Sequence, residues 1–274
     1  MMEPFTVSGL TTILGRMLPE PQAGFLSGIL FGTRSAMTKE LVDAFVTTGT
    51  IHIVALSGQN LSIFTGTFAL WLTSIVSRRI ASLLTFFVLV WFLWFVGLSP
   101  SLVRAVIMGS LTLLAVIFGR RNISLLSLLL AVSIMLLLNP LWIGDLSFQL
   151  SVLATLGIIL FGGSEVTPPS SPSLLKRGLG GVIDGFRITL AAQLFTTPLI
   201  FFHFHRLSLI APLTNILIGW TMPFLMGLGW IAAIAGFIWQ PLGLLPAWAA
   251  WVLLTYVIRV VEITATIPWA SIGK

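Results

Sequence analysis

The sequence predicts an all-α integral membrane protein, a bundle of roughly seven or eight transmembrane helices of which some are broken or re-entrant. Of its 274 residues, 57% are hydrophobic and only 8% are charged, and the mean hydropathy is +1.07. Soluble domains usually carry about 25% charged residues, and each span needs about 20 mostly apolar residues. The absence of cysteine excludes disulfides, thiolate metal sites and cysteine nucleophiles.

The chain is predicted to divide into an amino-terminal part, residues 1–50, and a polytopic transmembrane domain, residues 51–274. The first part is expected to be an interfacial amphipathic helical segment, because residues 36–47 place charged side chains opposite an apolar face. No charged leader with a long apolar run and a small-residue cleavage site occurs there, so no cleaved signal peptide is expected. The charged residues of this helix are Lys39, Glu40 and Asp43, and the apolar ones are Met37, Leu41 and Phe45.

Three predicted spans open the transmembrane domain. The first, residues 51–76, carries hydroxyl, amide and imidazole side chains that are costly against lipid, so we expect it to face protein or water. The second, residues 80–96, has no charged residue and is expected to be a peripheral, lipid-facing helix. The third, residues 101–118, follows Pro100 as a first-turn proline and holds Arg104 one turn inside.

Two further predicted spans are bounded by residues that interrupt helices. The fourth, residues 123–138, ends before Asn139 and Pro140, because proline disfavours a helical conformation in the residue before it. The fifth covers residues 147–161. The Ser- and Pro-rich stretch that follows, at residues 162–173, is typical of a low-complexity loop.

The last third of the chain is less regular. Residues 182–202 carry Asp184, Arg187, Gln193 and Pro198, and residues 209–239 are interrupted by Pro212 and Pro223. Broken helices are therefore expected in both stretches, and residues 245–267 are the final predicted span. Such breaks are tolerated in membranes only where the freed backbone is buried in protein or lines a wet cavity.

Basic residues predict the orientation of the bundle. Arg78-Arg79, Arg120-Arg121 and Lys176-Arg177 fall in alternate loops, and the loops between them carry no basic residue. Cytoplasmic loops carry an excess of Lys and Arg, so these three pairs are expected to face the cytoplasm. Residues 1–50 then lie on the outer side.

Four strings of this sequence resemble signature blocks of the ComEC family of DNA-uptake proteins. The first includes the family's turn at Gly32, Arg34 and Ser35 and its serine-glycine at residues 57–58. Together they span most of the chain and occur in the family's order. The strings are GTRSAMTKELVDAFVTTGTIHIVALSGQNLSI at residues 32–63, GLSPSLVRAVIM at residues 97–108, LSFQLSVLATLG at residues 146–157 and AAQLFTTPLIFFHF at residues 191–204.

The resemblance implies a channel-like domain that passes single-stranded DNA across the bacterial cytoplasmic (inner) membrane during natural transformation. It also implies partners, namely an external DNA receptor and a cytoplasmic motor or single-strand-binding protein, and it leaves a homo-oligomer open. No GxxxxGK[ST] loop is present, so an ATPase would be a separate chain. No cofactor is expected.

This chain departs from many members of the ComEC family in two respects. Its three histidines form no HxHxDH metal box, so a nuclease or OB-like domain is expected to come from elsewhere. The serine-glycine is followed by Gln59 and Asn60 where many relatives have leucine and histidine. His203 and His205 lie two residues apart, a poor spacing for a helical metal site, so no metal is predicted.

Polar side chains within the predicted spans are the candidate DNA path. A polyanion crossing a low-dielectric layer needs polar contacts that are weak enough to release each phosphate. The alternative is that these side chains only hydrogen-bond helices together, at about 0.6–2 kcal/mol per contact. The candidates are His52, Ser57, Gln59, Asn60, Gln149, Ser151, Gln193, Thr197 and Asn215.

Arg104 and Asp145 are predicted to form a structural ion pair. By the predicted topology both lie at the outer side, Arg104 one turn into the third span and Asp145 just before the fifth. The alternative is that Arg104 snorkels to the lipid headgroups.

Three functions are compatible with these patterns. The first is a DNA channel without catalysis of its own, and the second is a secondary transporter of a small solute, since broken helices with polar groups are also typical of transporters. The third is an intramembrane hydrolase using Ser57 with His52 or His203, although Ser57 lies outside any GxSxG motif. The resemblance favours the channel, and we expect no enzymatic activity.

Overall fold

The structure is a computed structural model that describes most of the chain and is almost entirely helical, as predicted. Two short strands, β1 at Leu207–Ser208 and β2 at Ser271–Ile272, pair antiparallel, with Leu207 opposite Ile272. The described residues are 5–33, 37–54, 58–162, 178–204 and 207–272.

Helices make up most of the described chain. In chain order the elements are α1 Val7–Met17, α2 Gln22–Phe31, α3 Lys39–Thr47, α4 Ile51–Val54, α5 Gly58–Thr73, α6 Arg78–Val96, α7 Pro100–Ile117, α8 Ser124–Leu138, a 3-10 turn Pro140–Gly144, α9 Leu146–Phe161, α10 Gly178–Phe204, β1 Leu207–Ser208, α11 Ala211–Gly219, α12 Met222–Ile238, α13 Gln240–Ala265 and β2 Ser271–Ile272.

The predicted number of seven or eight transmembrane helices is not confirmed among the described residues. Among the described residues, four helices are long and apolar enough: α6, α7, Gly185–His203 within α10, and α13. The bent pair of α11 and α12 raises this number to five. Helices α8 and α9 are apolar but have only 15 and 16 residues. At 1.5 Å per residue they reach about 22–24 Å, short of a hydrocarbon core about 30 Å thick.

The chain forms two compact units, and the first combines its two ends. This unit contains Met1–Leu56 and Arg206–Lys274, so the amino-terminal segment is grouped with α11 to α13, whereas the sequence suggested a segment of its own. The reason is α2, which packs against α1, α4, α12 and α13. Its Phe25 and Ile29 are fully buried. An apolar helix covered on all sides belongs to the core of its unit.

Helix α3 has the predicted amphipathic pattern. Leu41 and Phe45 are buried, and the Phe45 ring lies 5.0 Å from the Phe25 ring between centroids. The charged side chains of Lys39, Glu40 and Asp43 are exposed on the other face. Its first turn is capped by Thr38, whose hydroxyl accepts a hydrogen bond from the Leu41 amide at 3.3 Å.

The predicted break in residues 209–239 is present, whereas the one expected in residues 182–202 is not, because α10 continues through Pro198. Helices α11 and α12 meet at an angle of 51°, with Trp220 and Thr221 between them. Pro212 and Pro223 each lie in the first turn of their helix. Proline is tolerated there because the first amides of a helix have no intrahelical partner.

Gly49 is a position where a side chain is expected to destabilise the first unit. Its φ is +66°, and a Cβ would lie 2.8 Å from the Ala211 Cβ. Gly119 has nearly the same φ, +65°, with nothing within 4 Å, and is the matched control. We expect Gly119→Ala to cost about 1 kcal/mol of unfolding free energy for backbone strain, and Gly49→Ala about twice that or more. Denaturant unfolding of both variants in detergent tests this, and equal losses would contradict the packing argument.

The second unit, Ser57–His205, is organised around α7. Helix α7 packs against α5, α6, α8 and α9, and α10 packs on α9. Val103, Met135 and Phe148 bring α7, α8 and α9 together in a buried apolar cluster. The candidate site lies on this central helix.

Candidate functional site

Arg104 is a buried cation on the central helix of the second unit. Its side chain is only 8% exposed, one turn into α7. The Nε atom donates a hydrogen bond to the Ser151 hydroxyl on α9 at 2.8 Å, and Nη1 lies 3.2 Å from the Met108 sulfur. A guanidinium inside an apolar helix bundle is expensive unless it is hydrogen-bonded or paired.

Gly58 allows the guanidinium to reach the start of α5. A Cβ at this position would lie 2.5 Å from the Arg104 Nη2 and 3.2 Å from the Ala105 Cβ. Any side chain at residue 58 would therefore displace either Arg104 or α5. This close approach gives a physical reason for the glycine of the serine-glycine pair in the first string.

The predicted ion pair between Arg104 and Asp145 is not formed. Within the described part of the chain, no carboxylate lies within 4.0 Å of Arg104. Asp145 instead caps α9, since its Oδ1 accepts a hydrogen bond from the Phe148 amide at 2.9 Å. Ser151 is six residues further along, about 9 Å down the helix, so Arg104 lies at the level of Ser151.

The sequence supplies few negative charges to balance Arg104. Residues 44–144 contain five arginines and no aspartate or glutamate. The guanidinium is therefore held by neutral groups among the described residues. An uncompensated buried cation with neutral partners has the chemistry to accept an anionic oxygen.

Comparison with known proteins agrees with the resemblance noted in the sequence. The sequence profile described as Competence protein matches residues 29–273. The chain belongs to the competence protein family. It is also similar to ComE operon protein 3 of Bacillus subtilis (strain 168), with 28% identity over 202 residues, which are 73% of this chain and 25% of that protein.

The chain spans about a quarter of the length of this curated relative. No solved structure matches this chain. The family match and the long apolar helices together identify a membrane protein of the competence family. Gly58, Arg104 and Ser151 all lie within the matched range.

In this competence-family chain, the Gln149 side chain makes a hydrogen bond within the protein. Its Nε2 donates a hydrogen bond to the Ile143 carbonyl oxygen at 2.8 Å and so ties α9 to the preceding 3-10 turn. The side chain is half-buried. This contact favours the alternative interpretation of Gln149, in which the side chain stabilises local structure and does not line a DNA path.

Gln193 and Thr197 differ from Gln149 because their side chains have no protein partner among the described residues. Both are half-buried on α10 and lie four residues apart, so they share one face of the helix. Thr189, on the same helix, instead donates its hydroxyl hydrogen bond to the Gly185 carbonyl at 2.9 Å. Free polar groups on a half-buried face are available to water or to a ligand.

The remaining predicted path residues are divided between the two units. His52 and Asn215 belong to the first unit: the exposed His52 has its Nδ1 3.1 Å from the Gly49 carbonyl oxygen, and Asn215 is half-buried on α11. Asn60 is buried on α5, at 3% exposure. Ser57, Arg34, Ser35 and the Gln59 side chain lie outside the described residues, and Gly32 ends α2 with a φ of 76°.

Sequence reasoning missed two features of the site. It paired Arg104 with the nearest acid and overlooked Met108, although a residue four positions along a helix is always a neighbour. It also missed Gly157 on α9, where α10 approaches so closely that a Cβ would meet the Ala191 carbonyl oxygen. The glycine in the string LSFQLSVLATLG was a signal for that contact.

Proposed function

We propose that this chain provides a path for single-stranded DNA across the bacterial inner membrane during natural transformation, without catalysis of its own. The observation that carries the proposal is the competence protein match over residues 29–273. The relative named ComE operon protein 3 supports it. An external DNA receptor, a cytoplasmic motor or single-strand-binding protein, and self-association are part of the same proposal.

Arg104 is the phosphate contact in this proposal. A guanidinium binds phosphate oxygens through charge-assisted hydrogen bonds, and burial in a low-dielectric site strengthens them. One such cation with neutral partners attracts a phosphate without trapping the whole strand, as conduction requires. Because Arg104 is covered at Gly58, DNA would reach it only after α5 moves away from α7.

A secondary transporter is the second candidate, and the break between α11 and α12 favours it. Transporters commonly place polar groups beside discontinuous helices, and Asn215 on α11 is such a group. The two functions differ in substrate, since a transporter would move a small solute and leave DNA outside.

The distinguishing experiment measures entry of fluorescent single-stranded oligonucleotides into proteoliposomes holding the purified chain, with a small-solute tracer in parallel. We expect DNA entry in wild type and a several-fold lower rate in Gln193→Leu with Thr197→Val, because these side chains make no hydrogen bond to the described protein. Thr189→Val is the matched control and is expected to behave as wild type. Solute entry without DNA entry would contradict the proposal and favour the transporter.

A further inference from the structure

A groove lies between α7 and α8 at the end where the two helices are joined. It has a volume of about 240 Å³. Phe118, Ile123 and Leu126 are strongly exposed along it. Its apolar walls are formed by Leu111, Leu114, Phe118, Ile123, Leu126 and Leu130.

Two arginines line the exposed end of this groove, which is called its mouth below. Arg120 and Arg121 are both exposed and both line it. Gly119 takes a φ of +65°, and the Arg120 amide donates to the Ala115 carbonyl at 2.8 Å, so α7 ends in a tight reversal. The position of the arginine backbone is therefore set by the end of the helix.

Asn122 connects the arginine loop to both helices. Its Nδ2 donates to the Thr112 hydroxyl on α7 at 2.6 Å, and its Oδ1 accepts from the Ser127 hydroxyl on α8 at 2.5 Å. These two hydrogen bonds connect α7, the arginine loop and α8 at the groove. A preformed concave surface of this kind loses less entropy when it binds a ligand.

No acidic residue lies close in sequence to Arg120 and Arg121. No aspartate or glutamate occurs in residues 44–144, which include both helices of this hairpin. The basic-loop rule places Arg120 and Arg121 on the cytoplasmic side, where the membrane leaflet carries anionic lipids. Basic pockets between transmembrane helices on that side bind anionic headgroups.

We propose that this groove binds an anionic phospholipid of the cytoplasmic leaflet. Arg120 and Arg121 hold the headgroup phosphate, and an acyl chain lies against Leu114, Phe118 and Leu126. Aliphatic walls match an acyl chain, whereas bound single-stranded DNA would need aromatic platforms for its bases, and the groove has one phenylalanine. Lipid binding in this groove does not depend on DNA passage. An experiment can therefore refute one of the two proposals without refuting the other.

Native mass spectrometry of the purified chain with dioleoyl phosphatidylglycerol or dioleoyl phosphatidylcholine tests this site. Wild type is expected to retain phosphatidylglycerol in preference to phosphatidylcholine. Arg120→Gln with Arg121→Gln should lower phosphatidylglycerol affinity about tenfold or more, since each basic residue near an anionic headgroup contributes roughly fivefold. Ala115→Phe, which fills the groove and leaves the charge unchanged, should weaken retention of both lipids.

The matched control is Arg78→Gln with Arg79→Gln, which removes the same charge from the exposed start of α6. We expect this variant to stay within about twofold of wild type, because its arginines line no part of the groove. Equal losses of phosphatidylglycerol affinity in the two double variants would indicate a diffuse electrostatic attraction to the basic surface. That result would refute a specific lipid site in the groove. Unchanged retention in Ala115→Phe, or displacement of the lipid by single-stranded oligonucleotide, would overturn it as well.

Discussion

Arg104→Gln is expected to lower entry of single-stranded DNA by roughly tenfold to a hundredfold, because a hydrogen bond from a charged group contributes about 1.5–3 kcal/mol. The variant removes the buried positive charge of α7 and keeps a shorter, neutral polar side chain at this position. DNA entry is measured in proteoliposomes, and thermal unfolding in detergent shows that the variant is folded.

Two further variants separate phosphate binding from support of the fold. Arg104→Lys keeps the positive charge but loses the planar guanidinium with its paired N–H donors. Its rate of DNA entry should therefore lie between the rates of wild type and Arg104→Gln. Gly58→Ala keeps the Arg104 residue, but its Cβ would lie 2.5 Å from the Arg104 Nη2 and displace the guanidinium from its present position, so it should also lower DNA entry. A folded Arg104→Gln protein that passes DNA within about threefold of wild type would refute the role of Arg104.

Gly157→Ala is expected to destabilise the second unit by about 2–4 kcal/mol. The added Cβ would meet the backbone carbonyl oxygen of Ala191 and lie 3.0 Å from the Phe195 ring. A backbone oxygen cannot rotate away, so α10 must move off α9, the helix on which it packs. Denaturant unfolding in detergent measures the loss of unfolding free energy.

The control for Gly157→Ala is Gly185→Ala on α10. Gly185 has nothing within 4 Å of its Cβ position and is exposed. Alanine has the higher helix propensity, so this change should be neutral or slightly stabilising. A Gly157→Ala protein as stable as wild type would show that α9 and α10 are not in close contact.

Four consecutive helices in the second unit follow the sequence closely. The predicted spans at residues 80–96, 101–118, 123–138 and 147–161 differ from α6 to α9 by at most two residues at either end. Their ends are marked by Gly97, Pro100, Asn139 and Pro140. Helix bounds of this kind depend on residues within one turn of each other, which is why they can be predicted without knowledge of the fold.

Predictions that needed distant contacts were less accurate. The first span at residues 51–76 is divided between α4 and α5, which belong to different units. The final span begins five residues early, at Gln240, because Pro241 fits the first turn of α13 and Pro246 is accommodated inside it. Both differences arise where proline, glycine or polar residues permit more than one local structure.

The sequence by itself determined that this is a helical membrane protein of the competence family, where four consecutive helices begin and end, and that Arg104 lies in an apolar helix. Only the tertiary structure decided that Arg104 bonds Ser151 and not Asp145, that α2 is buried, and that α10 meets α9 at Gly157. Helix formation is set by neighbouring residues. The partner of a buried side chain depends on how segments 47 residues apart pack and on the depth to which each helix is inserted.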